Sequence, residues 1–254
     1  MSWSLTNWHR NRILQHEGIA DAVWQKLIHL RCLKGLSLEE LLRLRECATL
    51  FLHDKKFYGA HELEITEEIR ATIALQACIL ILNLDLDYYR SWSQIIVYPG
   101  EFMLDYDYED EFGIVHHVQH AASGEAWSDG PVILSWQDAT DMDMHPGHNV
   151  VIHEFAHKID MLYEGANGCP ELHANMSAYT WHEVFSSAYV KFCRQVEQRH
   201  ETIIDPYAAE SPAEFFAVLS EVFFELPLIT QQHFPSVYEQ LALFYRQDPA
   251  QRWR

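Results

Sequence analysis

Two histidines four positions apart enclose a glutamate in the run His153-Glu154-Phe155-Ala156-His157. On a helix this spacing stacks both imidazoles on one face about one turn apart, so each can offer a nitrogen to the same Zn2+. Glu154 is swung round the helix from the pair, placed to reach a water on the metal rather than the metal itself. Zinc lowers the pKa of such a water, and Glu154 is the base that takes its proton as it attacks a carbonyl. The same group can then hand a proton to a leaving amine. The chemistry implied is metal-assisted hydrolysis of a peptide bond.

With 16 histidines in 254 residues, a chance match to this pattern is roughly a one-in-ten event, so the setting has to decide. Val150, Val151, Ile152, Phe155, Ala156, Ile159 and Met161 supply apolar surface and predict a buried helix from about Val150 to Tyr163. A buried glutamate between two histidines is costly without a partner, and a metal supplies one. Asp160, three residues past His157, shares the face of both histidines. It is either an outer hydrogen-bond partner of a ligand imidazole or a plain exposed helix aspartate.

A catalytic zinc takes three protein ligands and keeps one position open. Downstream stand Glu164, Glu171, His173, His182, Glu183, Glu210, Glu214 and Glu221. Glu164 and Glu171 flank a loop rich in glycine. Glu214 and Glu221 share one face of a predicted helix that opens at Ser211-Pro212, and a helix holds a ligand more rigidly. The pattern leaves the choice open, because Ser211-Pro212-Ala213-Glu214 is also a capping box in which the Glu214 carboxylate turns back to the cap.

His153 to Asp160, taken with Ser211-Pro212-Ala213-Glu214-Phe215-Phe216-Ala217, resembles the Mlc titration factor A family of zinc peptidases over most of the chain. The metal-binding part alone is similar to the catalytic domain of anthrax lethal factor. The resemblance implies one Zn2+ held by His153, His157 and Glu214, leaving Glu221 just outside the ligand shell. It also implies a catalytic tyrosine seven residues before the glutamate ligand, which is Tyr207. A phenol there would stabilise a developing oxyanion. The resemblance further implies an aminopeptidase-type activity on small substrates in the cytoplasm, and binding of the transcriptional repressor Mlc, a regulator of glucose uptake genes. In the alternative, the chain is a regulatory binding module that sequesters a repressor, with zinc mainly structural.

The formal net charge of −19 repels a phosphate backbone and argues against direct nucleic-acid binding. Five scattered cysteines, with no CxxC pair, suit reduced thiols in a cytoplasmic protein. Met1 to Asn11 has no apolar core like that of a signal peptide, and Ala71 to Leu82 is too short to span a bilayer. No phosphate-binding glycine loop and no GxSxG occurs. His116-His117 and His145 to His148 lack metal-ligand spacing and read as loop or surface histidines, and Cys169 has no orienting triad. Glu101, Glu125 and Asp138 are the carboxylates available to anchor the free amine of an exopeptidase substrate.

The elements that must position these groups follow an α+β order. A helical N-terminal lobe spans residues 1–90, with a helix at about Gly18 to Leu30. A second helix is capped by the Ser37–Glu40 box and a third by Thr66. Short strands at Ile95–Tyr98, Ile114–Gln119 and Val132–Trp136 make a small mixed sheet, with Asp105 to Glu111 as a solvated acidic turn. Val132–Trp136 is the expected edge strand for substrate. Helices at Trp181–Gln198, from Ser211, and at Ser236–Tyr245 complete a zincin-like core over residues 91–254, ending in a loose tail. No linker separates the two parts, which implies one domain over 1–254.

Overall fold

The computed structural model describes residues 10–109, 115–140, 146–162 and 165–253. A short helix at residues 10–16 (α1) is followed by α2, Asp21–Leu27, and a 3-10 turn at Arg31–Leu33. The expected helix over Gly18–Leu30 is therefore shorter, because Gly18 precedes it and the chain turns at Ile28 to Leu30. The next helix, α3 (Leu38–Asp54), begins at the reciprocal cap read from its sequence: Glu40 N donates to Ser37 Oγ at 3.2 Å, and Ser37 N to Glu40 Oε2 at 2.9 Å. After a four-residue strand, β1 (Lys56–Gly59), Thr66 accepts from Ile69 N and opens α4, Glu67–Leu80. Every α4 residue from Ala71 onward is buried, so this helix is the central rod of the core rather than an amphipathic cover.

The strands are β2 (Gln94–Tyr98), β3 (Phe102–Glu109), β4 (Val115–Ala122), β5 (Gly124–Ala126) and β6 (Val132–Ser135). One sheet has the order β1-β2-β6-β5; its first two pairings are parallel and β6–β5 is antiparallel. The other is the β3–β4 hairpin. Two expectations are corrected here. Asp105 to Glu109 belongs to strand β3, with Asp105 opposite Gln119, because its acidic residues alternate with Leu104, Tyr106 and Tyr108 at a period of two; Asp110 and Glu111 lie outside the described residues. Val132–Ser135 is an inner strand, since three-residue β5 pairs along its free side. The edge is β5.

Helices follow: α5 (Trp136–Thr140), α6 (Val150–Asp160), α7 (Ala178–Glu197), a 3-10 turn (Pro206–Ala209), α8 (Pro212–Glu225), α9 (Pro227–His233), α10 (Pro235–Tyr245) and α11 (Pro249–Arg252). The C-terminal end is not loose. Ala250 in α11 is fully buried, Gln247 Nε2 donates to Ile79 O at 2.7 Å, and Arg252 reaches Glu40 at 2.8 Å. The α+β class, the small mixed sheet and the helical N-terminal region are as expected.

All of α6 is buried, wedged between α4, α8, β5 and β6. Phe155, facing away from the two histidines, meets Phe51, Tyr89 and Trp92 with ring centroids 5.7, 5.2 and 5.5 Å away. Burying one such ring contributes about 1.5–3 kcal/mol and clamps α6 to the N-terminal lobe. Lys158 Nζ donates to the carbonyls of Trp127, Ser128 (3.2 Å) and Gly130 (3.0 Å), tying the β5–β6 turn to the same helix.

A candidate metal centre and its cleft

Asn149 starts α6. Its Oδ1 accepts from Ile152 N at 3.0 Å, which is ordinary capping. Its Nδ2 donates to Gln76 Oε1 of α4 at 2.7 Å and to Glu225 Oε1 of α8 at 2.8 Å, and its backbone N to Glu221. The cap thus fixes the rotation and height of α6 against both neighbours. Arg31 of the N-terminal lobe stands 3.8 Å from the other Glu225 oxygen.

From this fixed helix His153 and His157 project together, their Nε2 atoms 3.1 Å apart. Glu214 Oε2 of α8 lies 2.9 Å from His153 Nε2 and 3.3 Å from His157 Nε2. Ser211 still accepts from Glu214 N at 3.1 Å, but the Glu214 carboxylate turns to the histidines instead of completing the capping box. One residue serves as both first-turn helix former and site residue because its backbone and side chain face different ways.

The three ligand atoms suit a divalent zinc. Tetrahedral coordination at ordinary Zn–N and Zn–O lengths separates ligand atoms by about 3.3 Å. His153 Nδ1 donates to Glu221 Oε1 at 2.7 Å, so the uncharged ring presents a lone pair at Nε2. That lone pair faces a carboxylate oxygen and a second imidazole. Three acceptors pointing at one another require a cation or shared protons between them. Among the described residues this is the one cluster of histidine, cysteine or carboxylate groups with ligand atoms so gathered.

Burial works against charge at each member, and the partners decide the outcome. Burial alone would lower His153, yet Glu214 and Glu221 together lift its pKa well above the usual histidine value. Burial would raise Glu214, but His153 and His157 hold it down at about 2. At Glu154 burial prevails over the pull of both histidines, and its pKa rises to about 7. Glu221 is held below the ordinary carboxylate range, its burial outweighed by His148 and His153.

His153 and Glu154 line a cleft of about 480 Å³. One wall is formed by Ala121 to Gly124 leading into the edge strand; the other carries Asp205, Tyr207 and Glu210. Tyr207 is placed on its 3-10 turn by Asp205, whose carboxylate accepts from Tyr207 N at 2.8 Å. Its ring centroid is 6.1 Å from that of His153 and the side chain is 46% exposed. Burial, and then the neighbouring Glu214, raise its pKa, so the phenol keeps its proton. A groove of about 540 Å³ between α7 and the α9–α10 junction is larger, but none of the gathered ligands opens on it.

Asp160 makes no hydrogen bond to either imidazole. Its Oδ2 accepts from Asn167 N (2.8 Å) and Gly168 N (2.7 Å), which binds the loop after α6. Its Oδ1 and the Nδ1 of His157, one helical turn away, are both buried without a partner. Gly168, at φ +80°, presses on the first turn of α8, where a Cβ would meet Pro212 O at 2.4 Å. Glu101, Glu125 and Asp138 do not line the cleft; Asp205 and Glu210 are the additional carboxylates that do. His148, read as a loop histidine, lines it as well. Sequence reasoning also passed over Asn149 and Glu225. An asparagine at a helix start and a glutamate at helical spacing from Glu221 were the available signals.

The glucose-regulated metallo-peptidase M90 family matches residues 5–246, a span that takes in every residue of the cleft. The chain belongs to this metallo-peptidase family. Mlc titration factor A of Salmonella arizonae is 36% identical over 250 residues, covering 97% of this chain and 98% of that protein. Mlc titration factor A of Klebsiella pneumoniae is 35% identical over 240 residues, covering 93% and 90%. Among the described residues no helix is long and apolar enough to cross a membrane.

Proposed function

We propose that this M90 member is a zinc-dependent peptidase of aminopeptidase type, acting in the cytoplasm on a peptide or protein substrate. One observation carries the reading: His153, His157 and Glu214 converge at 2.9–3.3 Å, and His153 and the buried Glu154 line a cleft that Tyr207 also lines. His153, His157 and Glu214 hold one Zn2+, and Glu221 orients His153 from behind. Zinc supplies Lewis acidity and lowers the pKa of water near it.

The chain's own groups do the rest. The substrate main chain lies along the β5 edge, pairing with unsatisfied backbone groups there. Glu154 accepts a proton from the attacking water and delivers it to the departing amine; a pKa near 7 suits both transfers. Tyr207, its phenol protonated, donates a hydrogen bond to the carbonyl oxygen as charge develops on it. Asp205 and Glu210 give the cleft the negative rim that a free α-ammonium favours. Asp160, through the 167–168 loop, keeps α6 and the start of α8 in register.

The test is zinc content and aminopeptidase activity of the wild type and Glu154→Gln. The variant should keep its zinc and lose at least about 100-fold in kcat; equal rates at equal zinc would refute the assignment. The relatives' name supports a second role, binding the repressor Mlc and so acting on transcription regulation. That role is compatible with catalysis. Capture of purified Mlc by the same variant would show that binding needs no turnover.

A further inference from the structure

His148 stands just before the cap of α6 and takes no part in the mechanism above. Its Nδ1 lies 3.3 Å from Glu221 Oε2, while Oε1 of the same carboxylate accepts from His153 Nδ1. Asn149 N also donates to Oε2. Glu221 is buried and held as a carboxylate, so it can only accept. His148 must therefore turn an N–H at Nδ1 towards it, which leaves Nε2 on the far side of the ring. Among the described residues Nε2 has no hydrogen bond, although His148 forms part of the cleft wall and its side chain is 45% exposed. A half-exposed ring on the cleft wall, held at one nitrogen and without a partner among the described residues at the other, is placed to touch what enters.

We propose that His148 is a second catalytic residue, presenting Nε2–H to the scissile carbonyl oxygen of the bound peptide in the same cleft as Tyr207, and oriented for this by Glu221. The inference rests on the peptidase reading. One carboxylate would then serve two tasks, fixing the tautomer of a metal ligand with one oxygen and aiming a substrate donor with the other. The ion pair with Glu221 also raises the His148 pKa, which favours a ring with hydrogen on both nitrogens.

Two substitutions divide the ring's functions. His148→Asn keeps an N–H near the Nδ1 position, and with it the Glu221 contact, but leaves nothing at Nε2. His148→Gln extends an amide to the Nε2 position. With zinc-loaded protein, His148→Asn should lower kcat about 100-fold, the usual effect of removing one oxyanion donor, with KM within about twofold, since the contact strengthens only in the transition state. Zinc content and Tm should stay at wild-type values, and His148→Gln should recover most of the loss. Affinity for a phosphinic peptide, which mimics the tetrahedral state without turnover, should fall with kcat in His148→Asn. An unchanged kcat in His148→Asn, a loss confined to KM, or loss of zinc in both variants would overturn the inference. If wild type binds the phosphinic peptide more tightly than His148→Asn yet cleaves nothing, the peptidase reading falls, and with it the catalytic role of His148, leaving only its contact with the ligand. If wild type neither cleaves nor binds, both fall.

Discussion

Gly124 lies directly against the Glu154 carboxylate: a β-carbon added to it would sit 2.4 Å from Oε1, 2.7 Å from Cγ, and 2.7 Å from Val150 Cγ2. Glu154 therefore occupies the space that a side chain on the edge strand would otherwise fill. Gly124→Ala should push Glu154 out of line. Displacements near 1 Å cost about 100-fold in rate, so kcat should fall steeply while zinc content stays the same. Overpacking should also destabilise the fold by about 1–3 kcal/mol. Steady-state kinetics with metal analysis checks this, and a wild-type kcat would show that Glu154 has freedom the packing denies.

Glu214 and Glu221 sit on one helix but meet the histidines differently, Glu214 at Nε2 of both and Glu221 at Nδ1 of His153. Glu214→Ala deletes one of three converging ligand atoms and should leave the purified protein with little zinc. Glu221→Gln keeps shape and volume but loses the charge that fixes His153 Nδ1–H. It should weaken zinc binding about 10–100-fold without abolishing it. Competition against a chromophoric chelator measures both, and equal losses in the two variants would argue against this division.

Asn149→Ala removes a helix cap worth about 1 kcal/mol and strands buried partners on Gln76 and Glu225, each costing about 1–3 kcal/mol. Denaturant unfolding of the metal-free protein should register a loss of several kcal/mol, large for a single uncharged side chain. A loss under about 1 kcal/mol would mean that Gln76 and Glu225 find other partners.

The raised pKa of Glu154 has a signed consequence for the metal-free protein. Its folded value, about 7, lies above the ordinary 4.5 of the unfolded chain. Between these values the folded state binds more protons, so this group's contribution is full below pH 4.5 and is lost as pH rises through 7. Glu154→Gln never ionises. At pH 8 the metal-free variant should be more stable than metal-free wild type by roughly 3 kcal/mol, and the gap should close towards pH 4.5. A pH series of urea unfolding decides this. A gap that does not vary with pH would mean that Glu154 is not the group being desolvated.

Local rules read correctly where the cause is local. The caps at Ser37, Thr66 and Ser211 depend on one side chain and a backbone N–H three residues on, and all three form. Strand edges depend on neighbours distant in the chain. Val132–Ser135 looks like any short apolar strand, and only the antiparallel return of Gly124–Ala126 makes it an inner one. Strand β1 escaped notice because Lys56 to Gly59 shows no alternation and is a strand by virtue of its parallel partner Gln94–Tyr98. The acidic run from Asp105 forms a strand because its period of two outweighs its charge.

By itself the amino-acid sequence determined that His153 and His157 share a helix face, that Glu154 stands beside them, and that this helix is apolar enough to be buried. Those properties follow from a 3.6-residue period and need no partner. It could not choose between a Glu214 carboxylate turned back to its cap and one turned to the histidines, nor show that Glu221, Asn149 and His148 form one polar network. Those outcomes needed α8 to cross α6 at a definite height and rotation. Packing sets that crossing across more than fifty residues of intervening chain, and it decides which way each carboxylate faces.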